Sequence, residues 1–250
     1  FASISMAACA EALVVHMATA VAAPERSAGY KILQRLLDLW AAAPRFDLLV
    51  SLLEKSKPHP KATALLLHRL KEELLAERKV GMVSSGEGTA DGARTPARSI
   101  VSACVFGPAA LLVPIRIVLQ DTVTAAASGH NFPLESQLDA VMGALNLLRF
   151  LIADALSSRQ SVHGSIAESE VLTPSLMRQL KADVLQHLDK RLREDMDMVW
   201  AEIQVSNNAG PRNQESDKSD RSKIAFTQLQ VTLVTLERVL ELSAEMMAVA

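Results

Sequence analysis

Apolar positions recur at steps of three and four along most of this chain, the spacing of one helical face. Residues 2–22 read as an Ala-rich helix ended by Pro24. Residues 25–41 place Ile32, Leu33, Leu36, Leu37 and Trp40 on one stripe. Pro44 opens the next segment, with Phe46, Leu49, Leu52 and Leu53 on a common side, and Pro58 and Pro60 stop it. Residues 61–79 carry Leu65, Leu66, Leu70, Leu74 and Leu75 opposite Arg69, Lys71, Glu72, Glu73, Glu77, Arg78 and Lys79. That charged side predicts a solvated face, the like-charge pair Glu73–Glu77 included.

The second half repeats the pattern. Helices are predicted over 99–106 and 108–127, with Pro108 at the first position of the latter and Gly129 as its stop. Over 134–156, Leu138, Val141, Leu145, Leu148 and Ile152 form one stripe, while Leu147, Phe150 and Leu151 populate a second. A helix apolar on two sides is sandwiched between neighbours. Thr173 and Pro174 are an N-cap and a first-turn residue for a long helix over 174–204. Its apolar residues Leu176, Leu180, Val184, Leu188, Leu192 and Met196 step by four, followed by Val199 and Ile203. A last helix over 223–248 carries the seam Phe226, Leu229, Leu233, Leu236, Leu240. Polar, Gly-, Ser- or Asn-rich stretches at 81–98, 157–170 and 205–222 read as flexible loops.

No useful stretch alternates with period two, so the predicted class is all-α. Helices joined by short proline-marked turns predict antiparallel pairs. Without an exact repeat, these pairs suit an irregular HEAT-like helical-repeat solenoid, one domain over 1–250.

Composition narrows the function. Apolar residues make up 49% of the 250 and aromatics 4%, so the core is chiefly Leu, Ala and Val. A formal charge of −2 and a pI near 6.3 lack the basic footprint of a nucleic-acid binder. Cys9 and Cys104 both fall in apolar runs and read as small buried hydrophobes in a reducing compartment. The chain opens with Phe1, which reads as the start of the C-terminal portion of a longer protein. Residues 1–23 lack a basic leader region, and Glu11 and His16 interrupt their apolar face. Ile100 to Ile115 is too short to span a bilayer and is broken by Gly107, Pro108 and Pro114, so no membrane association is predicted.

Candidate chemistry is sparse. The six histidines, His16, His59, His68, His130, His163 and His187, include no pair spaced i,i+4 on one helix, and there is no CxxC. Nor is there a GxSxG elbow or a phosphate-binding GxxxxGK[ST]. His163-Gly164-Ser165 lies in a polar loop with no strand before it. Asp195 and Asp197 sit on a charged helix side that predicts solvation. The reading is a protein that is not an enzyme, with no catalytic residue, metal or cofactor.

One helix is more specific. Ala140-Val141-Met142-Gly143-Ala144-Leu145-Asn146-Leu147-Leu148-Arg149-Phe150-Leu151 resembles the signature of the glomulin family, which includes plant aberrant-lateral-root-formation relatives and in which this helix reads close to I-M-A-S-L-N-L-L-R-Y-L. Tyr30-Lys31-Ile32-Leu33-Gln34-Arg35-Leu36-Leu37 is similar to the family's Y-K-hydrophobic-L-R-hydrophobic-L segment. Phe106-Gly107-Pro108 ahead of Leu111-Leu112 resembles its F-T-G-P, and Ala225-Phe226 with Leu236-Glu237-Arg238-Val239-Leu240-Glu241-Leu242 resembles its final helix. These segments fall in order over roughly residues 28–245.

The resemblance implies HEAT-like repeats and a non-catalytic regulator, cytoplasmic or nuclear. Such a protein binds the RING-box subunit of cullin–RING ubiquitin ligases and blocks access of the ubiquitin-conjugating enzyme. The alternative is a general helical-repeat scaffold in complex assembly or transport. Asn146 and Arg149 are candidate partner-binding residues, or else bond to neighbouring helices. Tyr30, Lys31 and Arg35 share a region of the helical wheel, of a residue type favoured as interface anchors. Glu237 and Glu241, spaced i,i+4, face either basic groups of a partner or solvent.

Overall fold

The computed structural model describes residues 5–86, 105–127, 134–161, 172–208 and 215–248. Among these it is all-helical: α1 (Met6–Thr19), α2 (Ala23–Asp38), α3 (Ala42–Ser56), α4 (Pro60–Gly86), α5 (Pro108–Ala127), α6 (Leu138–Ser161), α7 (Pro174–Leu180), α8 (Gln186–Asn208) and α9 (Glu215–Ala248). A 3-10 turn, Leu134–Gln137, leads into α6, and a π turn, Lys181–Leu185, joins α7 to α8 without a break. Helix starts follow the capping residues. Ser5 Oγ accepts from the Ala8 N–H at 3.1 Å. Thr173 Oγ1 accepts from the Leu176 N–H at 3.4 Å, with Pro174 in the first turn.

Side-chain contacts fix the directions of the helices. In the α1–α2 hairpin the backbones approach so closely at Gly29 that a Cβ there would lie 2.8 Å from Met17 Cγ. Ser56 Oγ and Thr63 Oγ1, 2.9 Å apart, sit beside the α3–α4 turn, and Arg45 meets Glu73 at 3.2 Å further along the antiparallel pair. Trp200 packs at a tilt against Phe226, ring centres 5.3 Å apart, and Arg193 reaches Glu237 at 3.0 Å, so α8 and α9 are antiparallel too. Between pairs the directions repeat. Lys61, Leu138 and Gln228 border one surface depression, and Lys71, Phe150 and Leu242 border a second. Residue numbers rise together on α4, α6 and α9, so these three run parallel in one layer. In the other layer, Phe46 packs edge-on to Phe106 at 5.4 Å and Lys57 meets Asp121 at 2.5 Å, so α3 runs parallel to α5. Arg116 on α5 then reaches Asp183 in the π turn at 3.1 Å.

The core lies between the layers, with α6 at its centre. Val141, Ala144, Leu145, Leu148, Leu151 and Ile152 are fully buried, as are Leu66, Leu67, Leu70 and Leu74 of α4 and Leu236 and Val239 of α9. Each such Leu contributes roughly 1.5–3 kcal/mol of transfer free energy. By length and hydropathy alone α6 could cross a membrane over Leu138–Ser157. Here α4, α5 and α9 pack around it, the position of a core helix. Gly143 lets α4 and α6 cross closely: a Cβ would meet Ala64 Cα and Leu67 Cδ1 at 3.2 Å.

Several expectations need correction. Glu73 is buried rather than solvated, because α2 and α3 cover that side of α4: it pairs with Arg45 and Arg69, and Asp38 pairs with Arg69 at 2.6 Å. Burial disfavours the Arg69 charge, but Glu73 and Asp38 outweigh it and raise its pKa. Glu77 accepts from the Phe106 backbone N–H at 3.1 Å. Asp195 is also buried, paired with Arg191 at 2.9 Å. Desolvation raises its carboxyl pKa, more than Arg191 and the Leu134 backbone lower it. Asp197 is exposed as expected. Cys9 is exposed, because α1 buries only the stripe Ala10, Val14, Met17. Ile32 is 54% exposed, on the outer side of α2.

Helix replaces parts of the expected loops: α4 runs through Gly86, α6 through Ser161, α8 through Asn208, and α9 begins at Glu215. Of the expected helix over 99–106, Val105 and Phe106 form a turn instead and residues 99–104 lie outside the described residues, as do the remainder of the three loops and Cys104, Gly129, His130 and His163. The long helix over 174–204 contains the π turn. A strict four-residue step rotates an α-helical stripe by about 40° each time. The wider π turn takes up this drift and keeps Leu180, Val184, Leu188 and Leu192 buried together. Helix α5 continues through Pro114 despite its missing N–H.

Candidate functional site

The depression shared by Lys71, Phe150 and Leu242 is a groove of about 600 Å³ between α4, α6 and α9. Its apolar part is Leu67, Leu147, Phe150 and Leu242, with the Ala64–Gly143 crossing at one end. The small residues at that crossing bring α4 and α6 together, and their side chains beyond it splay around the open space. Its polar part is His68, Lys71, Asn146, Arg149 and Arg238, and among the described residues no carboxylate lines it.

The cations differ in what holds them. Lys71 Nζ lies 4.9 Å from the centre of the Phe150 ring, within cation–π range. Arg149 is exposed at the rim. Among the described residues, neither has a carboxylate partner. Arg238 is engaged by Glu241 at 2.8 Å and approached by Glu245 at 3.9 Å, both on its own helix. His68 Nε2 lies 3.5 Å from Glu72 Oε1. Asn146 is half-buried on the α6 side.

Of the residues singled out from the sequence, Asn146 and Arg149 therefore come together in the groove. Glu237 and Glu241 lie on α9 but outside its lining, and are occupied by Arg193 and Arg238. Tyr30, Lys31 and Arg35 belong to a different place. Lys31 and Arg35 are exposed on α2, and Tyr30 leans toward the side of α4 that carries Glu72. Burial first, and the Glu72 charge second, push the Tyr30 hydroxyl pKa up to about 12. Gln34 Nε2 donates to Glu72 Oε2 at 3.5 Å beside it. Sequence reasoning missed Lys71, read only as part of a solvated face, and Phe150, read only as core. The signal was present in the small residues Ala64 and Gly143, each about two turns before Lys71 and Phe150 on their respective helices.

Among the described residues, no nucleophile of the groove stands beside a base, and no three His, Cys, Asp or Glu side chains gather as metal ligands. What the groove offers is an apolar floor with two cations that have no carboxylate partner among the described residues.

Fold and site together define a protein that is all-helical among the described residues, with a basic, apolar-floored surface groove. A family model described as "Uncharacterised protein family, YAP/Alf4/glomulin" matches residues 2–232. The chain belongs to the YAP/Alf4/glomulin family. No curated protein and no solved structure matches it significantly.

Proposed function

We propose that this protein is a non-catalytic regulator, cytoplasmic or nuclear. It binds the RING-box subunit of cullin–RING ubiquitin ligases and keeps the ubiquitin-conjugating enzyme from its RING. The observation that carries this reading is membership of the YAP/Alf4/glomulin family over residues 2–232, a span that includes the α4 and α6 walls of the groove. Parallel helices within each layer and antiparallel pairs between layers support an irregular HEAT-like solenoid, an architecture whose long faces serve protein recognition. Exclusion needs no chemistry of its own, only a shared surface and sufficient affinity.

The test is ubiquitin-chain assembly by a purified cullin–RING ligase with increasing amounts of this chain. Chain formation is expected to slow while thioester charging of the conjugating enzyme is unchanged. Unchanged ligase activity at micromolar excess, together with no capture of the RING-box subunit, overturns the reading and leaves a general helical scaffold in its place.

A further inference from the structure

We propose that the groove between α4, α6 and α9 takes an acidic peptide segment of a protein partner, with carboxylates on Lys71 and Arg149 and an apolar side chain on the Phe150 floor. This deepens the partner-binding reading and rests on it only in treating the groove as a binding face.

Charge complementarity comes first. Among the described residues the groove presents cations and no carboxylate, although Glu72, Glu241 and Glu245 stand just outside it on the same helices. Those acids engage His68 and Arg238, which leaves Lys71 and Arg149 without a carboxylate among the described residues. Lys71 is also placed in advance: its ammonium rests 4.9 Å from the Phe150 ring centre, so less side-chain freedom is lost when an anion arrives. Arg149 supplies a planar fork that matches a carboxylate with two parallel hydrogen bonds. The apolar floor gives the same segment a hydrophobic anchor between its charges.

Size and overall charge then select the occupant. About 600 Å³ is the scale of a site for a few side chains, not for a folded domain. A nucleic acid is disfavoured, because phosphate binding draws on many cations and this chain carries a formal −2. Two cations without a carboxylate among the described residues suit a segment with two spaced carboxylates.

The experiment is fluorescence anisotropy with a labelled peptide in which Asp and Glu flank a central Leu, against the same peptide with Asn and Gln. The wild-type chain should bind the acidic peptide in the micromolar range and lose affinity as salt rises. The K71Q/R149Q double variant should lose roughly tenfold or more, and R178Q/K190Q, at exposed positions of α7 and α8 outside the groove, should bind like wild type. Lys71→Met retains the apolar stem over Phe150 and separates loss of charge from loss of packing. Circular dichroism and thermal melting establish that each variant is folded. Equal binding of the neutral peptide, wild-type affinity in the double variant, or stronger displacement by a polynucleotide than by unlabelled acidic peptide each overturns the proposal. Acidic-peptide binding without RING-box capture upholds the groove and sinks the ligase reading. RING-box capture without peptide binding does the opposite.

Discussion

Replacing Glu73 by Ala tests the packing of the first two helix pairs. The carboxylate is 6% exposed and lies between Arg45, 18% exposed, and Arg69, 13% exposed. Removing one partner of a buried ion pair typically costs about 3–5 kcal/mol, because the remaining charge stays buried. Here the loss is partly relieved: Asp38 remains 2.6 Å from Arg69 and 3.5 Å from Arg45. Asp38 is 56% exposed, so water screens what it supplies. The expected destabilisation is therefore about 2–3 kcal/mol, below the range for an uncompensated site. In a chain of this length that lowers the melting temperature by roughly 5–10 °C. Urea denaturation should show a lower midpoint with an unchanged slope, since the surface exposed on unfolding is the same. Glu241→Ala, which removes an exposed partner of Arg238, should leave the midpoint within experimental scatter. If Glu73→Ala were equally silent, the residue would be solvated, and the packing of α2 and α3 over α4 would be wrong.

Further expectations follow from other contacts. Gly143→Val forces a branched side chain against Ala64 Cα and Leu67, so it should cost about 1–3 kcal/mol by denaturant titration, whereas a neutral result would mean that α4 and α6 do not cross there. Burial raises the Asp195 pKa above its unfolded value, so its favourable contribution is complete below the unfolded carboxylate pKa and is lost as pH rises through the raised one. The stability of Asp195→Asn relative to wild type should therefore increase with pH across that window and then level off; a flat or falling difference contradicts the burial of this group. Cys9 should react with a thiol reagent in the native Cys104→Ser background without unfolding, and protection there would place α1 with its other face outward.

Much of the helical pattern was legible because local rules set it. Thr173, Pro174 and Pro108 start helices where capping chemistry puts them, and the two apolar sides of 134–156 foretold the central position of α6. What the sequence concealed depends on which faces meet. Glu73 and Asp195 sit among charged neighbours, and only the helices packed over them make them buried. Cys9 lies in an apolar run, yet the α1 stripe that turns inward passes through Ala10, Val14 and Met17 instead. The polar composition of 205–222 read as a loop, while α8 and α9 extend into it as helix through Asn208 and from Glu215. At the site, Asn146 and Arg149 stood out as polar residues on an apolar helix. Lys71 and Arg238 become their neighbours only when α4 and α9 flank α6, a relation with no local trace.

Competition for the RING separates exclusion of the conjugating enzyme from mere association with the ligase. A cullin–RING-box complex is saturated with labelled ubiquitin-conjugating enzyme, and this chain is titrated in while the bound label is followed. If the chain masks the RING, the enzyme is displaced to completion, at concentrations matching direct binding of the chain to the RING-box subunit. A ternary complex in which enzyme and chain occupy the RING-box subunit together contradicts it.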